Sequence, residues 1–402
     1  MLNNIGQMRC VQSIKDISIK DKRVLIRVDF NVPMDDEFNI SDDKRIREAL
    51  PTINYCIDNG AKSIVLVSHF GRPKNGREDR FSLRHILKRL ERLLGKDVEF
   101  VGDFQNQRDK IDALSDSKVA LIDNIRFYSG ETKNDENLSK ELATLCDVYV
   151  NDAFGSSHRK HASTYGIAKH SKVKVAGLLL KKEIESFSKA LSNPSRPLLL
   201  IVGGAKVSSK LTLLKSILEV VDKIIIGGAM SNTFLKALGY DMQDSLVEDD
   251  LLDESIQVLE AAKEKGVNIY LPVDLVSTDN LKTVNDIKVT PVQDIPKGYM
   301  SADIGPATLR LFKEVVNASD TIIWNGPMGV YENQKFSRGT FRLAHYIADS
   351  YTFSLVGGGD TADAVDRADE KDNMSFISTG GGASLELLEG KVLPSFDILD
   401  KN

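Results

Sequence analysis

The segment LLLIVGGAKVSSKLTLLKSILEVVDKIIIGG (198–228) holds the pattern that decides the fold. Two runs of branched apolar residues, each ending in a pair of glycines, flank a stretch with helical periodicity over 207–221. Near-continuous apolar runs, rather than alternating ones, are what strands buried on both faces require. Such strands are parallel and need a helical crossover between them. The same unit recurs along the chain. Residues 24–30, 63–69, 98–103, 119–124 and 148–152 supply five such runs before it. Residues 268–274, 321–326, 353–360 and 375–379 supply four more after it, making eleven in all with the two in the segment itself. Helical segments between them include 82–94 and 251–265. Alternation of this kind predicts an α/β chain with mainly parallel sheets. Eleven strands exceed one comfortable open sheet, so the expectation is two sheets in two domains.

The stretch LLLKKEIESFSKALSNPS (178–195) has helical spacing and ends in an Asn-Pro-Ser breaker. It is the expected connecting helix between a domain over 1–177 and one over 196–387.

Composition narrows the function. The chain has 402 residues, 42% hydrophobic and 28% charged, which excludes disorder, collagen and coiled coil. Its apolar runs fall well short of the ~18 residues of a membrane span, and residues 1–20 lack a signal-peptide core. Three scattered cysteines, Cys10, Cys56 and Cys146, suit a reduced, cytoplasmic protein. Net charge is −5, but residues 1–200 carry +6 and residues 201–402 carry −11. Arginine divides more sharply, 15 against 4. The guanidinium fork matches carboxylate and phosphate, so the first half suits a small anionic ligand. An acidic total without a dense basic run speaks against nucleic acid.

Ligands of open α/β sheets gather at the carboxyl ends of strands. In the first half those ends carry Asp29 and Asn31, His69 and Arg72, Asn124 and Arg126, and Asn151 and Asp152, with His158 and Arg159 just beyond. In the second they carry Gly203, Gly227, Asn325, and then Gly358, Gly359 and Asp360, with Gly380, Gly381 and Gly382 after the last run. Glycine between strand and helix lets backbone N–H groups approach a phosphate, so the second half reads as a nucleotide or phosphate site. Lys206 and Lys210, four apart, are expected on one face of the helix that follows Gly203–Gly204. Asp360 could meet a magnesium ion held mainly by nucleotide phosphates, or cap its helix. Gly357, Gly359 and Ala362 also satisfy G-x-G-x-x-A. A dinucleotide site, however, wants an acidic residue ending the next strand, and that strand ends in Ser378 and Thr379.

Eight ordered motifs then agree with one family. They are RVDFNVP (27–33), SHFGRP (68–73), NIRF (124–127), NDAFGSSHR (151–159), GGAKVSSK (203–210), WNGPMGVYE (324–332), GGGDT (357–361) and STGGGASLELLEGKVLP (378–394). From about Arg9 to Leu399 the chain resembles phosphoglycerate kinase, which implies an α/β fold of two doubly wound, Rossmann-like domains joined by a helix. The resemblance implies reversible in-line phosphoryl transfer from 1,3-bisphosphoglycerate to MgADP, with magnesium as the cofactor, by a monomer whose two domains close. It implies a phosphoglycerate site of Asp29, Asn31, Arg45, His69, Arg72, Arg126 and Arg159, where Arg45 reaches the reacting carboxyl. It implies a nucleotide site of Gly203, Lys210, Gly227, Asn325, Glu332, Gly358, Gly359, Asp360 and Thr361. Glu332 would take the ribose hydroxyls, Asp360 the magnesium and Thr361 a phosphate oxygen. Arg45, Lys206 and Lys210 would stabilise the phosphoryl in flight, with the Gly380–Gly382 helix start facing the same charge. The tail 388–402 would fold back on the first domain. His158 matches no clear role.

Overall fold

The structure, a computed structural model, describes residues 11–74 and 76–400; Cys10 and Arg9 lie outside them. The described residues divide into two compact units, Ser186–Lys391 and a second built from residues 11–185 together with 392–400. The division falls within the helix Leu178–Leu191.

In the first unit six strands form one parallel sheet. They are β1 (Arg23–Arg27), β2 (Ser63–Val67), β3 (Val98–Val101), β4 (Lys118–Ile122), β5 (Val148–Asn151) and β6 (Val173–Ala176), in the order β3-β4-β2-β1-β5-β6. Each pair is parallel, for example Leu25 opposite Val65 and Tyr149. The chain leaves β1 toward β2 on one side and reaches β5 on the other. The topological switch therefore lies between β1 and β5, at Asp29 and Asn151. Strand β6 escaped the sequence reading because only Val175 and Ala176 of VKVA are buried. Helix Pro394–Asp400 belongs to this unit, with Phe396 stacked on Phe154 at 5.8 Å between ring centroids.

The second unit repeats the plan with β7 (Leu198–Val202), β8 (Lys223–Ile226), β9 (Asn268–Tyr270), β13 (Thr321–Asn325), β14 (Phe353–Gly357) and β15 (Phe376–Ile377), ordered β15-β14-β13-β7-β8-β9 and parallel throughout. Its switch lies between β7 and β13, so Gly203 and Gly326 mark the ligand end. Both sheets are therefore parallel, as the apolar runs predict, and doubly wound, as the family resemblance implies. The fully buried Trp324 anchors the β13 face, its indole N–H donating to the Gly326 carbonyl at 2.9 Å.

One feature was not foreseen. Strands β10 (Asp274–Thr278), β11 (Ile287–Pro291) and β12 (Met300–Ile304) form a small antiparallel sheet ordered β11-β10-β12. Strand β11 is mostly exposed and β12 reads MSADI, so neither has the apolar signature.

Candidate functional site

In the first unit the carboxyl ends of β1, β2, β4 and β5 bring the predicted cations together. Asp29 and Asn31 follow β1, and Arg45 sits in the first turn of the helix Lys44–Asp58. Its Nη1 donates to Asp29 Oδ2 at 3.0 Å and to the Asn31 carbonyl at 3.1 Å. Asn31 Oδ1 accepts from the Gly71 backbone N–H at 2.8 Å, which ties the loop after β2 to the loop after β1. Beyond them Arg72, Arg126 and Arg159 line one cavity of about 340 Å³ with Lys74 and His161.

Burial and mutually close cations set the electrostatics of this cavity. Arg126 is brought down to about 10, by burial first and then by Arg159 and Arg27. Its Nη1 donates to the Gly71 carbonyl at 2.5 Å, while its buried Nε has no hydrogen-bond partner. A buried guanidinium N–H without an acceptor is costly unless an anion takes it. Burial and the surrounding cations hold His69 well below its ordinary value, and they lower His161 to about 4. Both histidines are therefore neutral near pH 7. His158 orients its neighbour, since Arg159 Nε donates to His158 Nε2 at 3.0 Å.

In the second unit a cavity of about 300 Å³ opens at the switch point, walled by Gly204, Gly228, Ala229, Pro327 and Met328, with Glu332 and Asp360 at its polar side. Gly203 and Gly227 stand behind this wall. A Cβ on Gly203 would lie 2.1 Å from the Pro327 carbonyl, and one on Gly227 would lie 2.3 Å from Met328 Sδ. The second glycine of each pair, Gly204 or Gly228, borders the cavity. Asn325 bridges strand ends, its Nδ2 donating to the Gly357 carbonyl at 3.0 Å. Thr361 Oγ1 accepts from the Gly326 N–H at 2.7 Å. Gly358 precedes the helix Gly359–Arg367, and Asp360 is exposed in its first turn rather than at its cap. Gly380 and Gly381 lead into the short helix Gly382–Leu388.

The two lysines depart from expectation. No helix carries both, because the helix begins at Leu211 and Lys206 lies in the preceding loop. The reason is local competition for the backbone. Ser208 donates to Glu248 through both its hydroxyl, at 2.6 Å, and its N–H, at 3.0 Å, and Ser209 Oγ donates to the Lys206 carbonyl at 2.7 Å. Lys206 is left exposed. Lys210 is substantially buried and lowered to about 8, with Asp360 and Glu389 opposing that shift.

Sequence reasoning missed several contributors. Asp303 lines the second cavity, accepts from Gly339 N at 2.6 Å and Ile304 N at 2.9 Å, and is raised to about 7 by burial. Arg27 and Glu131 lie fully buried beneath the cationic cavity. A charge inside the apolar run VLIRVDF was the available signal for Arg27. Nothing local distinguishes Glu131. Among the described residues no group of three or more His, Cys, Asp or Glu is placed to hold a metal ion.

Comparison with known proteins gives a consistent result. The family model for phosphoglycerate kinase matches residues 14–391. The phosphoglycerate kinase of Wolinella succinogenes is 67% identical over 401 residues, covering 100% of both chains. That of Helicobacter pylori is 62% identical over 401 residues, again covering 100% of both. Among solved structures, phosphoglycerate kinase from Coxiella burnetii superposes with a TM-score of 0.90 at 42% identity, covering 97% of this chain and 99% of that one. The enzyme from Pyrococcus horikoshii gives 0.84 at 31% identity, covering 96% and 98%.

Proposed function

The chain belongs to the phosphoglycerate kinase family, and from that premise we propose how its residues divide the work of transferring a phosphoryl group from 1,3-bisphosphoglycerate to ADP. The first unit, completed by the tail from Val392, is the phosphoglycerate-binding domain. The second is the nucleotide-binding domain, and the segment 178–195, helical over Leu178–Leu191, connects them.

In the first unit His69, Arg72, Arg126 and Arg159 hold the phosphate that is not transferred. Asp29 and Asn31 take the substrate hydroxyl and fix Arg45, whose guanidinium serves the reacting carboxyl. The carrying observation is the buried, unpartnered Nε of Arg126 within a cluster of mutually repelling cations. Only an anion relieves both penalties.

In the second unit Gly203, Gly227 and Asn325 shape the wall of the nucleotide pocket. Glu332 binds the ribose, and Thr361, Gly358 and Gly359 approach the phosphates. A magnesium ion would be held by Asp360 and, in the main, by nucleotide oxygens. A single exposed carboxylate suits that ion better than a dedicated all-protein cage would. When bound, the ion neutralises phosphate charge.

The acceptor in the reverse direction is a carboxylate, already ionised at pH 7, so the mechanism needs no general base. That agrees with His69 and His161 both being held neutral. The transition state needs positive charge around its equatorial oxygens and exclusion of water. Arg45, Lys206 and Lys210 supply the charge, with the helix that opens at Gly380–Gly382. Direct transfer demands reacting atoms about 3–3.5 Å apart, so the two domains must close during turnover.

Each chain carries both half-sites and so works as a monomer, and the buried thiols of Cys56 and Cys146 suit the reducing cytoplasm. The test is formation of ATP from 1,3-bisphosphoglycerate and MgADP in a coupled assay. Absence of ATP, or turnover unaffected by a magnesium chelator, overturns the reading.

A further inference from the structure

Beneath the phosphoglycerate cavity a fully buried carboxylate terminates a chain of hydrogen bonds whose polarity has one solution. Glu131 Oε1 accepts from Ser163 Oγ at 2.6 Å, and Glu131 Oε2 accepts from the Ser163 N–H at 2.9 Å. Ser163 Oγ in turn accepts from Arg27 Nε at 2.8 Å. Arg27 Nη2 lies 3.1 Å from His69 Nδ1, and its Nη1 donates to the Val28 carbonyl. Arg27, Glu131 and Ser163 are all essentially without solvent exposure.

Guanidinium groups only donate, so the Arg27 Nε–H occupies an oxygen lone pair of Ser163. The single Ser163 hydroxyl proton must then point to Glu131. At the other end His69 Nδ1 must accept, which leaves the ring proton on Nε2. The Ser163 hydroxyl direction is set by Arg27 and Glu131 together, and the His69 tautomer by the Arg27 donor that this bridge holds in place.

We propose that Glu131 is a positioning residue. Through Ser163 and Arg27 it fixes His69 as the Nε2–H tautomer, a neutral donor preset for the non-transferred phosphate of the substrate. Glu131 also balances Arg27, which is buried and does not line the cavity. The remaining cations around His69, namely Arg126, Arg45 and Arg159, stay available to the substrate. A second observation supports the anchoring. The Glu131 carbonyl accepts from Ala162 N at 2.9 Å, so the same residue pins the backbone that carries Ser163.

This inference rests on the assignment of His69 to the phosphoglycerate site, and one experiment separates the two. The chain, with its six histidines labelled by nitrogen-15, is examined near pH 7 with and without 3-phosphoglycerate, His69 being assigned from a His69→Gln sample. The expected spectrum has His69 protonated at Nε2 alone, with its signals displaced by 3-phosphoglycerate. A ligand without effect on His69 overturns the site assignment. A His69 displaced by ligand but protonated at Nδ1 overturns the relay and leaves the site intact.

Glu131→Gln places an amide N–H2 against one of the two Ser163 donors, and Ser163→Ala removes the bridge to Arg27. Arg27→Lys keeps the charge but cannot span Ser163 and His69. Each is expected to erase the single-tautomer signature and raise KM for 3-phosphoglycerate about tenfold or more, with KM for ATP within twofold. Variants that keep the tautomer, or that lose affinity equally for both substrates, reduce Glu131 to a packing role and overturn the proposal. The wild-type spectrum needs no variant, so a failure to fold does not shelter it.

Discussion

Arg45 Nη1 donates to Asp29 Oδ2 at 3.0 Å, joining a helix start to the end of the central strand β1. The pair is partly exposed, so its direct contribution to stability is small, ~1 kcal/mol at most. Its effect is on direction: Asp29 and the Asn31 carbonyl fix the guanidinium, which in the proposed function serves the reacting carboxyl. Arg45→Ala should lower kcat by about 10²–10³-fold while KM for nucleotide changes less than about twofold. Lys206→Ala should behave likewise. Asp29→Ala should lower kcat and also raise KM for phosphoglycerate, because it removes a ligand and frees Arg45. Steady-state kinetics with each substrate varied in turn decides this, and equal losses for both substrates would sink the role given to Arg45.

Lys210 is only about half protonated at pH 8, since burial lowers its amine to about 8 despite Asp360 and Glu389. A nucleotide phosphate placed nearby favours the ammonium form and draws in a proton. Calorimetric titration of ATP at pH 8, repeated in buffers of different ionisation enthalpy, should report uptake of up to about half a proton. Lys210→Met should abolish that uptake. No uptake in the unmodified chain would separate Lys210 from the phosphates.

Gly203 and Ala229 offer a test of packing against ligand contact. Gly203→Ala drives a methyl onto the Pro327 carbonyl, which is backbone and cannot swing away. We predict a loss of at least about 1–3 kcal/mol in unfolding free energy. Ala229 lines the cavity and precedes the helix Met230–Ala237, where glycine is tolerated. Ala229→Gly should alter KM for nucleotide with stability within ~1 kcal/mol. Denaturant unfolding of both variants checks the contrast.

Asp152 is fully buried after β5, accepts from the Leu180 N–H at 3.0 Å, and is raised by burial from the ordinary carboxylate range to about 7. A raised acid holds its proton in the folded chain where the unfolded chain has released it. Its contribution is therefore fully present below about pH 4 and is lost as pH climbs through 7. Asp152→Asn cannot ionise. Relative to the unmodified chain it should gain on the order of a few kcal/mol between pH 4 and pH 8. Parallel unfolding curves across that range would remove Asp152 as a titrating group.

Much of the fold was legible because buried parallel strands must be apolar along their whole length. Runs such as LLLIV and KIII mark β7 and β8 almost to the residue. Strands β11 and β12 carry no such mark, because a small sheet solvated on one side places few demands on composition. The arginines of the cationic cavity were visible at strand ends, and only the resemblance to the family pointed to Arg45. Its local sequence, DDKRIRE, reads as any charged helix start. Lys206 and Lys210 were misplaced for a related reason. Spacing of four implies a shared helical face only where a helix exists, and Glu248, forty residues from Ser208, takes the hydrogen bonds of that turn.

Sequence alone determined the doubly wound architecture, the split between an arginine-rich and a glycine-rich half, and the family, because each is written in residue types at fixed intervals. Tertiary structure alone decided which of those residues share a cavity, which glycine of each pair borders the ligand space, and the partner of every buried charge. Glu131 reaches Ser163 across 32 positions and Arg27 reaches Ser163 across 136. Such pairings depend on where strands lie in the sheet, and strand order leaves no trace in local sequence.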